Sequence, residues 1–170
     1  MRLNEVKLAQ AKTLCDSIES ESNMRFVIPE NMGSDLRLLP ADTYSAEISD
    51  IFLGKSQSGQ PKATVKYTIT SEFTGKRGAD FESTIGATTL ETFSLQPQAL
   101  FNINGLYKTA NGTNIPQGDF DEEQFLQVLK DGLIGKQFNL QLGVGVSPSG
   151  NEKNDVLNRA AIATGSKRRK

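Results

Sequence analysis

Lys62 and Lys66 stand four residues apart in KATVKYTIT at 62–70, a segment that alternates in polarity without a break. As a strand it turns Ala63, Val65, Tyr67 and Ile69 to one side and Lys62, Thr64, Lys66, Thr68 and Thr70 to the other. The first side reads as core, Tyr67 included. The second reads as a basic, hydroxyl-bearing open face. Lys55 lies in the polar turn before this segment, and Lys76 and Arg77 lie in the turn after it. Phe52 and Phe73 are placed at the ends of strands beside those turns. Cations that follow phosphates, with flat rings under the bases, are what a single-stranded nucleic acid requires. Stacking contributes roughly 1–3 kcal/mol per base, and each phosphate neutralised releases counterions, so affinity falls with salt. The terminal run SKRRK adds Lys167, Arg168, Arg169 and Lys170 and is expected to be disordered when alone. The bland alternative is a solvated surface for the cations and burial for the two phenylalanines. With no tryptophan in the chain, the strongest stacking side chain is missing.

Other chemistry is poorly supplied. The 170 residues contain no histidine and one cysteine, Cys15. A Ser-His-Asp triad, a Cys-His dyad, a structural zinc site and an intrachain disulfide are therefore not on offer within the chain. The expectation is a protein that is not an enzyme and uses no cofactor. SDIFLGKS at 49–56 falls one residue short of a phosphate loop and reads as strand running into turn rather than the start of a helix. Asp119, Asp121, Glu122 and Glu123 are numerous enough for a hard cation and a metal-dependent nuclease. Helix capping explains them more simply. No apolar run approaches a membrane span, and the polar N-terminus lacks a signal-peptide core. A cytoplasmic protein without membrane contact is expected.

Charge is segregated along the chain. Residues 53–77 hold five cations and one carboxylate, and residues 136–170 hold seven and two. Residues 1–52 hold five and nine, and residues 78–135 hold two and eight. A net charge of −1 does not describe any one surface, because screening limits each charge to about 8–10 Å.

The elements that must position these residues follow from periodicity. Leu8, Ala11, Leu14, Cys15 and Ile18 form one stripe of an N-terminal helix over 3–20, a candidate contact between subunits. Residues 23–38 read as a connector. Tyr44, Ala46 and Ile48 alternate in a first strand, KATVKYTIT is the second, and 79–89 around Phe81 and Ile85 is a third. A helical insert follows. Pro97 suits a first helical position ahead of Leu100, Ile103 and Tyr107. Asp121 with Gln124 forms a capping-box pattern before Phe125, Leu126, Val128, Leu129 and Leu133, with Gly132 and Gly135 as the stop. Phe138, Leu140, Leu142, Val144 and Val146 alternate in a fourth strand with Gly143 and Gly145 on its open side. Residues 155–163 around Val156, Leu157 and Ile162 make the fifth. GKSQSGQP at 54–61 and SPSGNEKN at 147–154 are turns. The fold class is α+β, mainly β: a five-stranded OB-like barrel with a helical insert between strands 3 and 4 and an N-terminal helix. The divisions are residues 1–37 for helix and connector, 38–163 for the barrel, and 164–170 for the basic tail.

Arranged this way, residues 38–162 resemble the single-stranded-DNA-binding proteins of bacteriophages that use an OB-fold. The likeness rests on the opening LPADTYSAEISDIFLGKSQSGQPKATVKYTIT and the later LKDGLIGKQFNLQLGVGV, where a short helix ending in Gly-Lys leads into a strand. The resemblance implies sequence-tolerant binding of single strands in phage DNA replication or recombination, in the host cytoplasm, alongside other replication or recombination proteins. The chain departs from that family at its end, which is basic where many members carry an acidic recruiting tail. Direct phosphate contact by Lys167, Arg168, Arg169 and Lys170 is the substitute expectation. The rival reading is a phage protein-interaction or inhibitory factor that uses the barrel as scaffold and the helices as contacts.

Overall fold

The computed structural model describes residues 37–76 and 82–162, which fall within one compact unit, Gly33–Lys170. The expected N-terminal helix, most of the connector, Phe81 and the basic tail lie outside the described residues. The elements are β1 (Asp42–Lys55), β2 (Pro61–Ile69), β3 (Thr88–Ser94), a 3-10 turn (Pro97–Ala99), α1 (Leu100–Asn111), α2 (Glu122–Leu133), β4 (Gln137–Val146) and β5 (Glu152–Ala161). The strands form one sheet in the order β3-β2-β1-β4-β5, with every neighbouring pair antiparallel.

β1 is long because it serves two partners. Asp42–Glu47 pairs with β4, and Ala46–Lys55 pairs with β2. Its inward side chains change parity midway. Tyr44, Ala46 and Ile48 are buried, and then Ile51 is. The ladder steps from Ile48↔Tyr67 to Asp50↔Lys66, leaving Ser49 as the extra residue of a bulge. A bulge adds one residue and sharpens the local twist. Here it keeps Ile51 in the core and turns Asp50, Phe52 and Gly54 outward. Ala63, Val65, Tyr67 and Ile69 of β2 are all fully buried, as their alternation requires.

Two hairpin turns share one construction. In Ser56-Gln57-Ser58-Gly59 and Ser147-Pro148-Ser149-Gly150, the first serine carbonyl accepts from the glycine N–H at 2.9 and 2.8 Å. Its hydroxyl accepts from the N–H that follows the glycine, at 3.1 and 3.2 Å. Gly59 and Gly150 sit at φ +80° and +84°, where any side chain would be strained.

The helical insert starts at Pro97 and covers the core with Ile103, Leu106, Leu129 and Leu133. The Asp121–Gln124 capping box is present in full. Gly132 does not stop α2, which continues to Leu133. A side chain at Gly132 would collide with the Tyr107 ring, so this glycine allows α1 and α2 to pack closely. Gly135, at φ +81°, is the residue that turns the chain away toward β4.

Three expectations are corrected. First, the sheet is open rather than a closed barrel. β3 and β5 are its edges, and among the described residues no ladder joins them. A cleft of about 700 Å³, lined by residues 88–92 and 152–156 with Arg37 and Leu38, lies along those edges. Among the described residues, the Arg159 side chain crosses the seam to reach Glu91. Second, the third strand begins at Thr88 rather than near residue 79. Gly86, at φ +84°, makes a turn in which its N–H donates to the Ile69 carbonyl at 2.8 Å. Ile85 is left 53% exposed on that turn instead of in a strand. Third, Val144 and Val146 continue the alternation of β4 but run past the end of the core and are exposed. In β5 a bulge skips Leu157, which is exposed as well.

Candidate nucleic-acid interface

The open face is built from the outward residues of β1, β2 and β3, and the ladder fixes its rows. One row is Gly54, Lys62 and Ser94. The next is Phe52, Thr64 and Thr92. The third is Asp50, Lys66 and Leu90. Directly opposed side chains on one sheet face lie about 4.5–5.5 Å apart at Cβ, and diagonal ones about 7–8 Å apart. Phe52 thus sits opposite Thr64 and diagonal to both Lys62 and Lys66, which are separated along β2 by about 13 Å. Phe52, Lys62 and Lys66 are each partly exposed. Among the described residues, none of Lys55, Lys62, Lys66 and Lys76 is held in an ion pair.

The other expected residues distribute as follows. Lys55 closes β1 opposite Pro61, beside the row of Lys62. Lys76 is exposed in the segment after β2, at the far end of that strand from Lys55. Phe73 packs against the core with its ring over Gly75, so it belongs to the interior side rather than to the open face. Arg77, Lys167, Arg168, Arg169 and Lys170 lie outside the described residues. Asp42 anchors the loop that carries Phe73 and Lys76. Its carboxylate accepts from the Thr74 N–H at 3.0 Å and the Thr74 hydroxyl at 2.7 Å. These bonds hold the Asp42 carboxyl below its ordinary range.

Beyond β1 the same face continues as neutral polar surface over β4 and ends at β5 with Leu157 and the Lys153–Asp155 ion pair. The Ser45 hydroxyl donates to Asn139 Oδ1 at 3.1 Å, and Gln141 is paired with Thr43 and Asn158. Gly143 and Gly145 are not bare: Leu157 lies over the first, within 2.9 Å of where a Cβ would stand, and the Asp155 carboxylate lies over the second. What approaches that backbone closely is the chain's own β5.

One polar cluster escaped the sequence reading. On the inward side, the Tyr67 hydroxyl donates to Glu91 Oε2 at 2.8 Å, and Arg159 donates to Glu91 Oε1. The Arg159 guanidinium also lies 5.1 Å over the Phe93 ring. Burial pushes the Glu91 carboxyl upward, while the arginine and the tyrosine hydrogen bond pull it down. Tyr67 is also raised, first by burial and then by the adjacent carboxylate. The cluster braces the seam of the sheet and faces away from the lysines. A glutamate at an inward position, with its partner 68 residues away, leaves no periodic signal.

The carboxylates at 119–123 do not assemble a metal centre. Asp121 Oδ1 accepts from the Gln124 N–H at 2.8 Å as a helix cap. Among the described residues no three ligand-type side chains converge. Among the same residues no helix is long and apolar enough to cross a membrane. No family model matches the chain, and no curated protein matches it.

Proposed function

We propose that this protein is a binding module for single-stranded DNA with little sequence preference, acting in phage replication or recombination in the host cytoplasm. The observation that carries the reading is the β1–β2 register, which sets Phe52 between two diagonal lysines that, among the described residues, are not held in ion pairs. A ring flanked by cations offers a π-face to any base and countercharge to the phosphates on either side. The surrounding hydroxyls of Thr64, Thr92 and Ser94 add contacts that do not select among bases. Titration of a fluorescent poly-dT oligonucleotide tests this. Binding at low salt that weakens steadily as salt rises is expected. No change in anisotropy at micromolar protein would refute it.

One observation favours a second reading, a protein-interaction factor that works through its helices. Phe101 is 69% exposed on α1, and Leu100 beside it lines a groove with Ile115, Phe120 and Phe125. A variant with Phe101→Ser that keeps full oligonucleotide binding but loses a biological effect would favour that reading.

A further inference from the structure

The rows of the open face are electrostatically unequal. Asp50 stands directly opposite Lys66. The bulge at Ser49 is what turns it outward, and two contacts keep it from swinging away. Its Oδ1 accepts from the Ile51 N–H at 2.8 Å and lies 3.3 Å from Lys130 Nζ of α2. Glu47, opposite Thr68, extends the acidic character at that end of β2. The other end differs. Lys62 faces Gly54 on one side and Ser94 on the other, with Lys55 next along β1. A Cβ added at Gly54 would meet nothing within 4 Å, so the backbone beside Lys62 is open to approach.

Resting on the single-strand reading above, we infer that Asp50 attenuates Lys66 as a phosphate ligand. The phosphates of a bound strand then follow the lane Gly54–Lys62–Ser94, with a base over Phe52. Lys66, Asp50 and Lys130 together carry one net positive charge spread over three groups, and Glu47 offsets part of it. Lys55 and Lys62 carry two charges with no carboxylate in either of their rows. A polyanion crossing the sheet is therefore drawn to the Lys62 row and discouraged at the Asp50 row. Gly54 leaves the lane unobstructed where a larger side chain would stand in the path.

The test is a poly-dT titration across a salt series on the full chain and on Lys62→Gln, Lys66→Gln, Asp50→Asn and Asp50→Asn/Lys66→Gln, with thermal melts as fold controls. Loss of one phosphate contact lowers the slope of log K against log salt by about 0.7 for a single strand. Lys62→Gln is expected to cost that full amount and Lys66→Gln less than half of it. Asp50→Asn should tighten binding, and in that background Lys66→Gln should cost the full slope. Gly54→Val should weaken binding with an unchanged melting temperature. Equal losses for Lys62→Gln and Lys66→Gln, or a Lys66→Gln effect indifferent to Asp50, would overturn the lane while leaving the single-strand reading standing. Failure of the unmodified chain to bind would overturn the reading itself and the lane with it.

Discussion

Replacing Arg159 with methionine probes how the open sheet is held across its seam. The guanidinium joins β5 to Glu91 of β3, and the two side chains are only 26% and 17% exposed. Methionine keeps an unbranched apolar side chain and removes the charge, together with the guanidinium's contact over the Phe93 ring. Glu91 is then a mostly buried carboxylate with the Tyr67 hydroxyl as its remaining partner. Breaking a fully buried pair costs about 3–5 kcal/mol. Partial exposure and the option of protonation reduce this to about 2–3 kcal/mol. At about 2–4 °C per kcal/mol for a chain of this length, the melting temperature should fall by about 4–12 °C at neutral pH. The sign with pH follows from Glu91. Its carboxyl is raised above the unfolded value by burial. Ionisation therefore penalises folding above the folded pKa, and the penalty is relieved as pH falls through that value. Without Arg159 the pKa rises further, so the deficit of the variant should shrink on acidification. Glu91→Gln in the same chain should recover most of the loss. Circular-dichroism melts from neutral to mildly acidic buffer decide the matter. A variant as stable as its parent at neutral pH, or a deficit that widens with acid, would refute the reasoning.

Phe52→Ala should weaken oligonucleotide binding by about 1–3 kcal/mol, roughly 5- to 150-fold, with an unchanged melting temperature; anisotropy titration and a melt read both. Asp121→Ala removes the capping box of α2 and should destabilise the fold by about 1 kcal/mol in urea denaturation, with DNA affinity unaffected. Asp42, whose carboxyl is lowered by Thr74, contributes stability that is present above its unfolded value and lost as pH falls through its folded one. The protection of the Thr74 amide relative to its intrinsic exchange rate should fall over that acidic range, and Asp42→Asn should remove this pH dependence of the protection.

The sequence was most legible where one side chain type decides one local structure. Pro97 opens the first helix, Asp121 and Gln124 cap the second, and the glycines at 59 and 150 each close a serine-bearing turn. β2 alternates fully because its inward residues are all apolar. β3 was misplaced because its inward residues are Thr89, Glu91 and Phe93, opposite Tyr67, Val65 and Ala63. That pattern reads as surface until Arg159 supplies the partner for Glu91. Barrel closure was wrong for a related reason: strand number and length suit a barrel, but whether the edges join depends on the seam, which here holds a cleft and a side-chain bridge. Within the candidate site, Lys62 and Lys66 were visible from alternation. The outward turn of Phe52 and Asp50 depends on the bulge at Ser49, which no local pattern announces. Phe73 lies not at a strand end but in the loop beyond β2, where it packs inward against Gly75 and the core.

The most direct measurement is a heteronuclear NMR titration of the labelled chain with a short poly-dT strand. The account expects the largest shifts at Phe52, Gly54, Lys62, Thr64 and Thr92, with Phe93 and Arg159 on the inward side little changed. Shifts confined to the β3–β5 cleft or to Phe101 and its groove, with the Phe52 row silent, would contradict it.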